Sequence, residues 1–152
     1  MKIAIFGAGS LGTVLGAYLT KNGVDVDLYS HNKNHIEGLR KNGAQITGKV
    51  DFTVPVKAFY PEEMKGKYDL VFLMTKQLDN DNVVKFLKEH LTDDGDICTM
   101  QNGLPEIGIS EIVGEDHTMG CAVAWGATLK GNGVSELTSE PDSMSFSLGR
   151  LN

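Results

Sequence analysis

An apolar run that breaks straight into closely spaced glycines constrains this chain more than anything else in it. Lys2-Ile3-Ala4-Ile5-Phe6 leads directly into Gly7-Ala8-Gly9-Ser10-Leu11-Gly12. Beyond it, Leu11, Val14, Leu15, Tyr18 and Leu19 recur at helical spacing on one face until Asn22-Gly23 stops the pattern. In a chain with 18 glycines the GxGxxG spacing alone is weak, but a buried strand turning sharply into a helix is the setting in which it becomes a dinucleotide-binding fingerprint. Gly7 permits the tight turn, Gly9 has no Cβ to hold a pyrophosphate off the backbone, and Gly12 lets the helix lie close to the strand. The segment from Gly7 through Ala8, Gly9, Ser10 and Leu11 to Gly12 is therefore the candidate pyrophosphate cradle. A helix N-terminus there would favour an anion by about 0.3–1 kcal/mol. The plainer explanation is a glycine-rich helix start that serves only close packing.

At 152 residues the chain has one domain's worth of length, 1–152, with 41% hydrophobic and 22% charged residues. A net charge of −6 with no basic cluster argues against a nucleic-acid partner. The N-terminus lacks the pattern of a signal peptide and no apolar run approaches a membrane span, so a cytoplasmic protein with no membrane partner is expected. Cys98 and Cys121 lie in apparent strands without ligand spacing and read as buried, reduced thiols. His31 and His35 are four apart but lack the adjacent Glu of a zinc helix, and His90 and His117 are isolated, so no metal is expected.

Along the chain, Val24, Val26 and Leu28 alternate as a second strand, Ser30–Asn34 form a polar turn, and a weak helix carries Ile36 and Leu39 to Asn42-Gly43. Val50, Phe52, Val54 and Val56 alternate as an edge strand interrupted by Pro55, and residues 60–67 connect to the apolar strand Leu70–Met74. Val83, Val84, Leu87 and Leu91 give a helix its apolar face. Asp93-Asp94-Gly95 turns the chain into a strand from Ile97 to Met100, and Pro105 opens a short helix with Ile107 and Ile112. The β-prone stretch from Thr118 to Thr128, the Gly131-Asn132-Gly133 turn and strands at Val134–Leu137 and Ser143–Leu148 read as antiparallel. The fold class is α/β: a doubly wound Rossmann-type sheet, mostly parallel, with antiparallel strands at the C-terminal end. Its ligand belongs at the carboxyl ends of the strands, where Gly7–Gly12, Ser30-His31, and Lys76 with Asn102 converge.

An NAD-preferring site usually places Asp or Glu at the end of the second strand, about 20 residues after the fingerprint, to hold the ribose hydroxyls. Here that position is Ser30, followed by His31, Asn32 and Lys33, while Asp25 and Asp27 come earlier. A 2′-phosphate would meet donors in place of a repelling carboxylate, which favours NADP(H) over NAD(H) as cofactor.

The fingerprint GAGSLG, MTKQ at 74–77, QNG at 101–103, and MGCAVAWGA followed by a hairpin resemble the N-terminal domain of the ketopantoate reductase (2-dehydropantoate 2-reductase) family, over nearly the whole chain. The resemblance implies reduction of ketopantoate to pantoate with NADPH, on the route to pantothenate and coenzyme A. It makes Lys76 the cofactor-side lysine, sets Asn102 beside nicotinamide and substrate, and brings backbone around Ala124–Gly126, Gly126 included, to the cofactor. Family members commonly carry Arg where this chain has His31, and a neutral imidazole grips a 2′-phosphate less firmly than a guanidinium. The family enzyme also has a helical C-terminal domain that carries the proton-donating lysine and most substrate contacts. That domain is absent from these 152 residues, so this chain alone is expected to bind cofactor without turnover. The implied partner is a small 2-oxo acid, and a homodimer is compatible with the family. Two rivals remain open: a stand-alone dinucleotide-sensing regulatory module, and another NAD(P)-dependent 2-oxo or 2-hydroxy acid dehydrogenase.

Overall fold

A computed structural model of the chain describes residues 1–75, 80–100, 106–123, 126–139 and 146–150. Strand β1 (Ile3–Phe6) is an interior strand of a seven-stranded sheet. On one side it pairs in parallel with β2 (Val26–Tyr29), and on the other with β6 (Tyr68–Leu73). The sheet continues outward through β5 (Lys57–Phe59) beside β2, and through β7 (Leu91–Thr99) and β8 (Thr118–Val123) beside β6. All of these are parallel; β11 (Phe146–Arg150) closes the far edge antiparallel to β8. The chain thus winds one way from β1 and then returns to wind the other way, which puts the topological switch point between β1 and β6.

Alternation along β1 divides the core. Ile5 packs with Leu28, Val14, Ile36 and Leu39 on one face, whereas Ala4 and Phe6 pack with Val71, Leu73, Val84, Leu87 and Ile109 on the other. The first face is covered by α1 (Ser10–Lys21) and α2 (Lys33–Asn42), the second by α3 (Asn80–Lys88) and α4 (Glu106–Val113). With both faces covered, the central strands are near-continuous apolar runs.

A second, four-stranded sheet is the main feature that the sequence pattern does not announce. Its order is β4 (Phe52–Val54), β3 (Ala44–Gly48), β10 (Val134–Leu137), β9 (Ala127–Gly131), with β3 and β10 parallel and the other pairs antiparallel. It packs on the side of α1 away from β1, so the helix is buried along Gly12, Thr13, Val14, Leu15, Gly16 and Ala17. Small residues are needed where it meets the main sheet. A Cβ on Gly16 would lie 2.8 Å from the Leu28 side chain.

The structure revises several expected boundaries. Pro55 does not sit within one edge strand: it separates β4, in the small sheet, from β5, at the edge of the large one. Leu91 begins β7 and is not part of α3. Asp93-Asp94-Gly95 is carried inside β7 as an irregularity, because Tyr68 pairs with Leu91 while Leu70 pairs with Asp96. Residues 60–67 include a single 3₁₀ turn at Pro61–Glu63. In α4, Ile109 is buried and Ile107 is exposed.

Candidate nucleotide-binding site

A cleft of about 570 Å³ opens at the carboxyl ends of β1, β2, β6 and β7, at the switch point. The turn after β1 contributes Gly7, Gly9, Ser10, Leu11 and Gly12; the end of β2 contributes Ser30, His31 and Asn32; β6 and β7 lead into Met74, Thr75 and Met100.

Three glycines of the turn have three different surroundings. Gly7 has φ +101°, and a Cβ there would stand 2.6 Å from the Thr75 amide nitrogen. Gly12 is tight but less severe: its Cβ would lie 3.1 Å from the Gly7 carbonyl and 3.2 Å from the Ile5 side chain. A Cβ on Gly9 would meet nothing within 4 Å. Packing therefore accounts for Gly7 and Gly12 but not for Gly9, which keeps open the space in front of the helix start. The turn is pinned from below, since the Gly7 and Ala8 amides both donate to the Tyr29 carbonyl, at 2.9 and 2.8 Å. Helix α1 begins at Ser10 with no side-chain cap and no acidic residue in its first turn. Its leading N–H groups have no intrahelical acceptor, so the residues present suit a pyrophosphate.

At the end of β2 the Ser30 hydroxyl accepts from the Asn32 amide at 3.1 Å, and the Asn32 side chain accepts from the His35 amide at 3.1 Å, capping α2. The exposed His31 ring stands edge-on to Phe6, with centroids 6.1 Å apart. No carboxylate lines the cleft among the described residues. Asp27 accepts instead from the Tyr68 hydroxyl at 2.6 Å, and Asp25 pairs with Lys57 at 2.6 Å near the opposite end of β2.

Of the other expected site residues, Ala8 is fully buried beneath the turn. Gly126 is not among the described residues that line the cleft; its amide donates to the Ser139 hydroxyl at 2.9 Å and its carbonyl accepts from Thr138 at 3.0 Å. Lys76 and Asn102 lie outside the described residues, although Thr75 and Met100, shortly before them in sequence, line the cleft. Sequence reasoning passed over Asn32 as a helix cap, and Met74, Thr75 and Met100 as cleft walls. An Asn three residues before the His35 amide was the available signal for the first, and strand-end position for the others.

Cys98 and Cys121 are free and buried, and burial pushes the Cys98 thiol up to about 12, with Cys121 also raised. Both are protonated and unreactive at neutral pH. Among the described residues there is no group of three or more His, Cys, Asp or Glu placed to hold a metal, and no helix is long and apolar enough to cross a membrane.

The family model for ketopantoate reductase PanE/ApbA matches residues 3–150. A 2-dehydropantoate 2-reductase from Pyrococcus horikoshii is 35% identical over 138 residues, which is 90% of this chain and 44% of that protein. The crystal structure of 2-dehydropantoate 2-reductase from Geobacter metallireducens matches 99% of this chain and 49% of its own, with TM-score 0.85 and 29% identity. The ternary structure of D-mandelate dehydrogenase with NADH and anilino(oxo)acetate matches 100% of this chain and 49% of its own, with TM-score 0.89 and 25% identity. The chain spans less than half the length of the curated relatives it matches. From the glycine turn at its start to the antiparallel strand at its end, this chain belongs to the ketopantoate reductase family.

Proposed function

We propose that residues 1–152 are the nucleotide-binding half of an NADPH-dependent reductase of a 2-oxo acid, 2-dehydropantoate by family membership, and that a following helical domain completes the cleft. The observation that carries the reading is the cleft itself: a bare glycine turn and an uncapped helix start on one side, and Ser30, His31 and Asn32 on the other, with no carboxylate among the described lining residues. The first suits a pyrophosphate and the second a 2′-phosphate.

A nicotinamide nucleotide bound there would supply the hydride for the ketone carbon. The chain's own residues hold and orient. The amides at the start of α1 take the pyrophosphate, and Ser30, His31 and Asn32 take the adenosine ribose and its phosphate. By resemblance, Lys76 lies on the cofactor side, Asn102 orients nicotinamide and substrate, and backbone at Gly126 completes the cofactor's surround. The proton for the developing alkoxide comes from the second domain.

The NADH carried by D-mandelate dehydrogenase favours a second reading, an NADH-dependent reductase of another 2-oxo acid. Following nucleotide oxidation by the full-length protein with 2-dehydropantoate and with phenylglyoxylate, each with NADPH and NADH, separates the two. The proposal expects turnover with 2-dehydropantoate and NADPH, and negligible turnover by residues 1–152 alone. Preference for phenylglyoxylate or for NADH would contradict it.

A further inference from the structure

Behind the cleft, beneath the glycine turn, lies a histidine that makes no part of the cleft wall. His35, in the first turns of α2, is 1% exposed, and both ring nitrogens are engaged. The Gly133 amide donates to Nδ1 at 2.9 Å, which requires that nitrogen to be unprotonated and places the ring proton on Nε2. Nε2–H then donates to the Thr13 hydroxyl at 2.9 Å, and that hydroxyl is turned toward the Ala8 carbonyl at 3.4 Å. Thr13 and Ala8 are both fully buried.

This one ring joins two segments that line the cleft to the hairpin packed behind them. Its own helix carries the Asn32 cap and so fixes the Ser30–Asn32 loop. The Thr13 branch reaches Ala8, inside the turn that presents Gly7 and Gly9 to the cleft. The Gly133 branch reaches the tip of the β9–β10 hairpin, which touches α2 backbone to backbone: a Cβ on Gly38 would stand 2.6 Å from the Asn132 carbonyl oxygen. The same hairpin is tied to the start of α1 by the Ser135 hydroxyl, which donates to the Ser10 carbonyl at 2.8 Å.

We propose that His35 is a positioning residue for the nucleotide: through Thr13 and Ala8 it sets the pyrophosphate turn, and through α2 it holds the ribose loop in register with that turn. The inference rests on the nucleotide reading of the cleft. The two ring branches can be separated chemically. His35→Gln puts an amide NH₂ where Nε2 lies and retains the Thr13 branch, whereas His35→Asn puts an amide oxygen where Nδ1 lies and retains only the Gly133 branch. Thr13→Val removes the relay hydroxyl and leaves the bond to Gly133 in place.

The test is NADPH titration of the 152-residue chain and these variants, well below each variant's melting temperature. His35→Asn and Thr13→Val should each weaken binding about tenfold, their double variant should be no weaker than the worse single, and His35→Gln should stay within about twofold of the unaltered chain. A histidine that only fills space would lower stability in all variants without this affinity pattern. Binding within twofold in both His35→Asn and Thr13→Val, or equal losses in His35→Gln and His35→Asn, would overturn the proposal. If His35→Asn does not fold, Thr13→Val and His35→Gln decide by the same pattern. If the unaltered chain binds neither NADPH nor NADH, the nucleotide reading fails first and takes this inference with it.

Discussion

Gly7 and Gly9 are two residues apart and are glycine for opposite reasons. Alanine at Gly7 meets a positive φ and the Thr75 backbone at once, so Gly7→Ala should cost about 3 kcal/mol or more in urea unfolding. Alanine at Gly9 meets open space, so Gly9→Ala should change stability by no more than about 1 kcal/mol while weakening NADPH binding more than tenfold. If Gly9→Ala binds like the unaltered chain, the space before α1 is not where the nucleotide sits. At the end of β2 the discriminating side chains are Ser30 and His31. His31→Arg should raise the preference for NADPH over NADH by about five- to tenfold, because a planar guanidinium fork holds a phosphate dianion through two parallel N–H bonds that an imidazole does not offer. Ser30→Asp should reverse the preference, and the ratio of dissociation constants measures both. The glycines and Ser30-His31 were legible from sequence because spacing after a strand defines them. Thr13 and His35 were not. A Thr inside a helix and a His beside Ile36 and Leu39 reveal nothing until the β9–β10 hairpin arrives from more than 90 residues downstream to pack against them.

Elements are held in register by polar links that hydrophobic periodicity does not encode. Tyr29 and Tyr68, on β2 and β6, meet across β1 through their hydroxyls, and Tyr68 donates to Asp27 at 2.6 Å. Burial and these two partners push the Tyr68 hydroxyl well above the usual tyrosine range, so it stays protonated. Tyr68→Phe strands the Tyr29 hydroxyl and an Asp27 acceptor, and should cost about 1–3 kcal/mol by chemical denaturation. His35 gives α2 a pH dependence of known sign. Burial holds the imidazole below the usual value of 6.5, so in that interval the unfolded chain binds more protons than the native one. Stability is therefore complete above about pH 6.5 and declines as pH falls through the interval. Melting temperature should drop between pH 7 and 5, and His35→Gln should flatten that slope. The Glu63 and Asp69 carboxyls, held below their usual values by the amides of Tyr60 and Lys2, act in a lower window. Sequence misplaced elements mainly where the chain changes sheets. The run from Val50 to Val56 alternates without pause, yet Pro55 hands it from β4 to β5. Ala44–Gly48 is too short, between Gly43 and Gly48, to show its own period.

At the scale of the molecule, the mostly parallel sheet and the crevice at the carboxyl ends of its strands were legible because buried strands bounded by helical patterns admit few windings. The small sheet was not, since it depends on β3 pairing with β10 across nearly ninety residues. Its consequence is functional as well as architectural. Packed between two sheets, α1 presents its N-terminus at the mouth of the cleft. On the proposed function, this N-terminus and the glycine turn before it hold a nucleotide diphosphate. Isothermal titration of the 152-residue chain with NADPH and with NADH tests it most directly. One-to-one binding with NADPH the tighter ligand, weakened more than tenfold by Gly9→Ala, is the predicted result; no heat of binding with either nucleotide would contradict it.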